Sequence, residues 1–226
     1  MDTRKLAGLE PQAVFHYFED ICAIPHGSYN TKAISDYLVE FAKKNNLRYI
    51  QDSLNNVILF GDATPGFEDH EPVILQGHMD MVCEKDDDCT IDMTKEGLDV
   101  THDGDMVFAK GTTLGADNGI GVASILAILA NNFITIPNLI AIFTVSEETS
   151  MLGVNQLNPD DIKEATYAIN LDTEDMGEIC LGCAGSSTYN ITYTPTKKIN
   201  NHEYDIYKLE INNGLGGHSG IDIDKG

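Results

Sequence analysis

Residues 71–82 read EPVILQGHMDMV, an apolar run that leads directly into His78 and Asp80. The apolar part, residues 72–75, predicts a buried strand. An imidazole and a carboxylate that follow a buried strand are costly to bury unless they are paired or bind a metal ion. The segment therefore predicts a functional site where this strand ends.

Hydrophobic periodicity outside this segment predicts an α/β fold. Helices are expected at residues 11–24, 31–46 and 120–130. Strands are expected at residues 56–60, 72–75, 139–145 and 167–171, with a hairpin of 98–102 and 105–109 about Asp103-Gly104. Ser28 or Asn30 is available to cap the second helix. Apolar strands that alternate with helices predict a mostly parallel central sheet with flanking helices.

The pattern changes towards the end of the chain. From Ser187 onward apolar and polar residues alternate, as in Tyr189, Ile191 and Tyr193. This alternation is typical of half-buried strands. We therefore expect residues 1–185 to form the α/β domain and residues 186–226 to begin a second, α+β domain.

Composition limits the classes of protein to which the chain can belong. Its 226 residues are 42% hydrophobic, which is enough for the core of one or two domains. The 14 Lys and Arg against 36 Asp and Glu give a formal net charge of -22. Such a surface repels nucleic-acid phosphates and anionic lipids, so we expect no nucleic-acid and no membrane partner.

Neither a secretion signal nor a membrane span is predicted. Residues 1–15 contain no apolar signal core, and we therefore expect a cytoplasmic protein. The uncharged stretch 119–145 is interrupted by Asn131-Asn132 and Pro137-Asn138, which predicts a buried helix and a buried strand. The five cysteines are expected to be reduced thiols, and no redox or zinc role is expected for Cys180 and Cys183.

Acidic or imidazole groups recur where the predicted elements begin or end. In an open α/β sheet, sites form beyond the carboxyl ends of the strands. Three strands and one helix start therefore deliver polar groups to one edge: His78 and Asp80, Glu147 and Glu148, Asp172, and Asp117. Taken singly, Glu147-Glu148 reads as an exposed pair and Asp117 as a helix cap. Taken together, they predict a metal site.

The mixture of ligand types indicates which metal ions are suitable. Clustered carboxylates repel one another unless a cation joins them. One imidazole among carboxylates suits Zn²⁺, Mn²⁺ or Co²⁺ better than Ca²⁺, and several acids suggest two metal ions that share a bridging carboxylate. The sequence contains no H-E-x-x-H, no G-x-S-x-G and no P-loop motif.

Five stretches of the chain carry a family resemblance. They are ILQGHMDMVCEK (74–85), GTTLGADNGIGVA (111–123), FTVSEETSMLG (143–153), INLDTED (169–175) and GGHSGIDI (216–223). In the same order, they resemble the di-zinc exopeptidases that include aminoacylase, and within them the aminoacyl-histidine dipeptidases. The similarity runs along essentially the whole chain.

The resemblance implies a metal-ligand set. His78 and Asp172 would hold one Zn²⁺, Glu148 would hold a second, and Asp117 would bridge the two. Mn²⁺ or Co²⁺ could replace zinc.

The resemblance also implies catalytic roles. Glu147 would be the general base and acid, and Asp80 would orient the His78 ring. His218, in the motif at 216–220, would help to stabilise the oxyanion, often from a partner subunit.

The implied activity is metal-dependent hydrolysis of dipeptides, with a preference for dipeptides that have a C-terminal histidine. The implied substrate is a small peptide, and the implied assembly is a homodimer. An N-acyl-amino-acid amidohydrolase, a tripeptidase and a non-catalytic metal-binding protein remain alternatives. Members of the family are about twice as long as this chain, and a further histidine ligand lies near their C-terminus. We therefore expect a truncated chain that is inactive alone.

Overall fold

The structure of the chain is a computed structural model that describes residues 4–131 and 134–173, together with 177–182, 185, 189–192, 194, 207, 208 and 210. The chain divides into two compact units, Met1–Cys180 and Leu181–Gly226. Every helix and strand that is described lies in the first unit. The domain predicted for residues 186–226 falls mostly outside the described residues, so it stays a prediction.

The described elements alternate much as the sequence predicts. The strands are β1 Arg48–Gln51, β2 Val57–Gly61, β3 Val73–His78, β4 Val100–Asp103, β5 Met106–Ala109, β6 Leu139–Thr144 and β7 Tyr167–Asn170. The helices are α1 Gln12–Cys22, α2 Lys32–Lys44, α3 Ala116–Leu129 and α4 Leu152–Gln156, with a short 3-10 helix at Pro159–Asp161. In the described residues, no helix has the length and apolar character needed to cross a membrane.

Five of the strands form one mixed sheet in the order β1-β2-β6-β3-β7. Strand β3 runs parallel to both β6 and β7, whereas β2 is antiparallel to β6 and β1 is antiparallel to β2. The expected α/β fold is confirmed, and its parallel part consists of β6, β3 and β7. Because these three strands point the same way, their carboxyl ends meet at one edge of the sheet.

Both faces of the sheet are packed. On one face, Leu75 and Phe143 join the apolar cluster that contains the buried sides of α1, α2 and α3. On the other face, Ile74 and Ile142 form a smaller cluster that includes the partly buried Leu157. The alternation of side chains along a strand therefore buries apolar residues in both directions, which explains why β3 and β6 read as nearly continuous apolar runs.

Some local expectations are corrected. Strand β3 continues through His78, so the histidine is the last residue of the strand rather than a residue beyond it. The tight turn between β4 and β5 lies at Gly104-Asp105, because Asp103 pairs with Met106. Thr31 is the N-cap of α2, and its side chain makes no capping hydrogen bond. Neither Ser28 nor Asn30 caps this helix. The four cysteines that are described are free thiols.

Candidate metal centre

The edge of the sheet brings three chain segments together. Strand β3 ends on His78, and β6 and β7 are followed within a few residues by Glu147 and by Asp172. Hydrogen bonds continue beyond the last strand residues. The amide of Met79 donates to the carbonyl of Thr144 at 2.8 Å, and the amide of Leu171 donates to the carbonyl of Gln76 at 2.9 Å. The three segments therefore stay adjacent as they leave the sheet.

Asp117 reaches the same edge from the start of α3. The backbone of Asp117 and Asn118 is not helical, although both lie within the first turn of the helix. The amide Nδ2 of Asn118 donates to the carbonyl of Leu171 at 3.1 Å. This hydrogen bond ties the start of α3 to the end of β7, and so places Asp117 next to Asp172.

The carboxylates surround one imidazole nitrogen. His78 Nε2 lies 2.9 Å from Asp117 Oδ1, 3.9 Å from Glu147 Oε2 and 3.9 Å from Asp172 Oδ2. Ligand atoms within 4.8 Å of one another occur in two groups, His78 with Asp117 and Asp172, and His78 with Glu147 and Glu148. The described site residues thus converge as the sequence predicts, whereas His218 lies outside the described residues.

Asp80 contacts the His78 ring at Nδ1 and so fixes its orientation. Both residues are 1% exposed. His78 Nδ1 lies 2.9 Å from the backbone carbonyl oxygen of Asp80 and 3.5 Å from its Oδ1. A carbonyl oxygen only accepts, so a proton belongs on Nδ1. Nε2, which faces the carboxylates, is then the nitrogen that would bind a metal ion in place of a proton.

The Asp80 carboxylate has two further partners. Its Oδ2 accepts a hydrogen bond from Ser28 Oγ at 2.7 Å, and its Oδ1 accepts one from the backbone amide of Glu147 at 3.1 Å. Burial by itself would raise the pKa of Asp80. The hydrogen bonds from His78, Ser28 and Glu147 outweigh burial and hold the pKa below its ordinary value.

Three of the other acids are harder to ionise than usual when no cation is present. Burial, together with neighbouring carboxylates, raises the pKa of Glu147, of Glu148 and of Asp172. For His78, burial disfavours the charged form, but the hydrogen bonds and charges of the surrounding aspartates raise its pKa to about 10. The cluster therefore strongly attracts positive charge.

This donor set fits a divalent cation. Imidazole mixed with carboxylates matches the preferences of Zn²⁺, Mn²⁺ and Co²⁺, and a cation would relieve the repulsion that raises the pKa values of the acids. Two clefts adjoin the cluster. One, of about 300 Å³, is lined by Asp117 and Asp172, among others. The other, of about 370 Å³, is lined by Glu148, by polar residues such as Ser28, and by apolar residues such as Met81.

Sequence reasoning missed two residues of this site. It assigned Ser28 to the wrong partner, a helix start, and it gave Asn118 no role. Both are polar residues in irregular backbone, for which periodicity gives no signal. The only available signal for Asn118 was its position immediately after Asp117.

Comparison with known proteins identifies relatives of the chain. No protein-family model matches the chain. It is 38% identical over 222 residues to the cytosol non-specific dipeptidase of Escherichia coli (strain K12), an alignment that covers 98% of this chain and 46% of the relative. The crystal structure of aminoacylhistidine dipeptidase from Vibrio alginolyticus superposes with a TM-score of 0.77 at 38% identity, covering 80% of this chain and 37% of that one.

A more distant structure shares the fold. The aminopeptidase PepT of Bacillus cereus is 20% identical and superposes with a TM-score of 0.61, over 74% of this chain and 44% of that one. The chain spans less than half of the length of each of these three proteins. By sequence over 98% of its length, and by fold over 80% of it, the chain is a relative of the cytosol non-specific and aminoacylhistidine dipeptidases.

Proposed function

We propose that the chain supplies most of the metal-binding part of a metal-dependent dipeptidase whose preferred substrates end in histidine. The observation that carries the proposal is the convergence of Asp117, Glu147 and Asp172 on His78 Nε2, within 3.9 Å in each case. The names of the two relatives that are 38% identical support dipeptides, and one of them supports a C-terminal histidine.

The ligand assignment is the one that the resemblance implies, and the group of His78, Asp117 and Asp172 supports its first site. His78 and Asp172 would hold one cation, Glu148 would hold the other, and Asp117 would bridge the two. Zn²⁺ is the proposed ion, with Mn²⁺ or Co²⁺ as substitutes. A bound divalent cation would polarise the scissile carbonyl and lower the pKa of bound water to about 7.

Glu147 is the proposed general base and acid. Its side chain is 29% exposed, so it can meet both solvent and a bound peptide. Burial and the neighbouring acids raise its pKa, which suits a group that accepts a proton and then returns it to the leaving amine. His218 is proposed to stabilise the oxyanion. A homodimer and a cytosolic location are proposed from the resemblance.

Metal binding is the first test, because it needs no substrate. Both groups of donors share the single imidazole of His78. Structural zinc sites normally have four protein ligands, and catalytic sites have three. We expect the metal-free chain to take up about one zinc ion tightly. His78→Ala should abolish this uptake, whereas the exposed His102→Ala, in the β4–β5 hairpin, should leave it unchanged. Tight uptake by His78→Ala would contradict the ligand assignment.

Activity is the second test, and it uses a full-length polypeptide that contains this chain. The protein is loaded with zinc and assayed on an Xaa-His dipeptide, a dipeptide that lacks histidine, a tripeptide and an N-acetyl amino acid. Fastest turnover of the Xaa-His dipeptide supports the proposal. Turnover of only the tripeptide or only the N-acetyl amino acid would replace it with one of the alternative activities, and no turnover of any substrate would leave a metal-binding protein.

A further inference from the structure

The hydroxyl of Ser28 contacts the buried carboxylate behind the metal centre. Ser28 lies between α1 and α2, far from Asp80 in the chain, and its Oγ donates to Asp80 Oδ2 at 2.7 Å. The backbone fixes this approach. The amide of Ser28 donates to the carbonyl of Met81, and the amide of Met81 donates to the carbonyl of His26, both at 3.2 Å. Gly27 and Met81 thus form a short parallel bridge.

The segments that carry Ser28 and Asp80 lie so close together that position 27 has no room for a side chain. A Cβ on Gly27 would lie 2.6 Å from the Sγ of Cys83. The absence of a side chain at this position therefore lets the segment that carries Ser28 lie directly against the segment that carries Asp80. The contact between Ser28 and Asp80 follows from this packing of two backbones, and not from a long and flexible side chain.

The two oxygens of Asp80 have separate partners. Ser28 binds Oδ2, while Oδ1 faces His78 Nδ1 at 3.5 Å and accepts from the Glu147 amide at 3.1 Å. A carboxylate with one oxygen anchored cannot rotate freely about its Cβ–Cγ bond. The anchored oxygen therefore determines where the other one points, and the other one contacts both a predicted ligand and the backbone of the predicted base.

We propose that Ser28 is a positioning residue that acts through Asp80 to set the His78 ring and the Glu147 backbone together. The proposal rests on the proposed function only where it predicts a change in turnover. The predicted changes in metal affinity and in exchange of the Glu147 amide do not depend on any activity. Partners of a ligating histidine typically change metal affinity by about 10- to 100-fold when they are lost, and Ser28 is one step further from the metal.

The test compares Ser28→Ala with Ser28→Thr and with a matched control. Ser35 is the control, because it is fully buried and its Oγ donates to the carbonyl of Asn55 at 2.8 Å, away from the metal centre. Ser35→Ala removes a buried hydroxyl and leaves Asp80 untouched. Ser28→Thr keeps the donor, so it should restore the properties that Ser28→Ala loses.

Two measurements are made on the chain itself. Competition with a zinc chelator should show zinc affinity about 3- to 10-fold weaker in Ser28→Ala. Hydrogen exchange of the Glu147 amide in the metal-free chain should be about 3- to 10-fold faster, the loss expected for one weakened hydrogen bond. Ser35→Ala and Ser28→Thr should match wild type in both. Equal values for Ser28→Ala and Ser35→Ala would overturn the proposal.

A third measurement uses the full-length polypeptide. The kcat of Ser28→Ala should fall by about 10-fold with little change in KM, because the base and the ligand are misplaced while the peptide still binds. A fall that Ser28→Thr does not rescue would overturn the role of the hydroxyl. A wild-type protein without turnover would remove the dipeptidase proposal, and the affinity and exchange results would still decide the role of Ser28. If Ser28→Ala does not fold, Ser28→Cys, a weaker donor of similar size, takes its place with the same expected direction.

Discussion

The two sides of the metal centre differ in how the protein holds them. On one side, the buried pair His78 and Asp80 is 1% exposed, and hydrogen bonds fix both residues. On the other side, the acid rim contains carboxylates that are partly exposed, such as Asp117 at 51% and Asp172 at 29%. The rim also contains Glu147 and Glu148, and burial among like charges raises the pKa of both.

This difference shows which part of the site folding supplies. The buried pair is satisfied by protein groups alone, so it should keep its geometry without a metal ion. The acid rim gains stability when a metal cation, or protonation at lower pH, neutralises its charge. Substitutions in the two halves should therefore have effects of different kinds, and four predictions test this.

The largest effect is expected for Glu147→Gln in the full-length polypeptide. The loss of a general base typically lowers kcat by about 100- to 10,000-fold, whereas the amide keeps nearly the same size and the metal content should stay near that of wild type. Steady-state kinetics and metal analysis measure the two quantities. Glu164→Gln, at an exposed turn, is the control and should change neither. Turnover close to wild type would remove the assignment of the base.

Asp80→Ala should act on the metal rather than directly on proton transfer. We expect zinc affinity to fall by about 10- to 100-fold, because the His78 ring loses its carboxylate partner but keeps the backbone carbonyl. Chelator competition measures this change, with the exposed Asp103→Ala as control. An unchanged affinity would show that the backbone carbonyl alone orients the ring.

Gly121→Ala should disturb the support of the acid rim. A methyl group there would overlap Oδ1 of Asn118 and approach the carbonyl of Leu171 to 3.1 Å. The Nδ2 of the same Asn118 amide donates to the Leu171 carbonyl in the hydrogen bond that joins the start of α3 to the end of β7. Such overpacking typically costs about 1–3 kcal/mol, and urea unfolding would measure it. Gly182→Ala, where an added methyl meets nothing within 4 Å, should be close to neutral.

The smallest effect distinguishes the two halves by its sign. Burial and the charge of Asp117 raise the pKa of Asp172. Ionised Asp172 therefore destabilises the metal-free fold, and the fold gains stability as the pH falls through this pKa. At neutral pH, Asp172→Asn should stabilise the metal-free chain by roughly 0.5–1 kcal/mol. With excess zinc the same substitution should reduce thermal stability. Destabilisation in both conditions would mean that the rim does not need a cation.

The sequence predicted most of the arrangement that these experiments use. His78, Glu147, Glu148 and Asp172 follow or end strands that run in parallel, and the carboxyl ends of parallel strands must meet at one edge. Their proximity therefore needed only the assignment of the strands. It did not need the strand order or the pairing register.

The remaining contacts could not be predicted, because they depend on where irregular backbone lies in space. The bond from Ser28 to Asp80 joins residues 52 positions apart, and the bond from Asn118 to Leu171 spans 53. Neither pair shows a pattern in the sequence. Strand β1, with the sequence RYIQ, was missed for a related reason, since its two exposed and two half-buried residues give no apolar run.

The order of the strands also has a consequence for how the chain folds. Strand β3 pairs with both β6 and β7, and the side chain of Asn170 in β7 donates to that of Gln76 in β3, 94 positions earlier in the chain. Closing a loop of this length is slow compared with forming a helix or the β4–β5 hairpin. Asp172 joins His78 only after this closure. During refolding, zinc uptake should therefore follow the last long-range step of assembly, while helix formation is already complete.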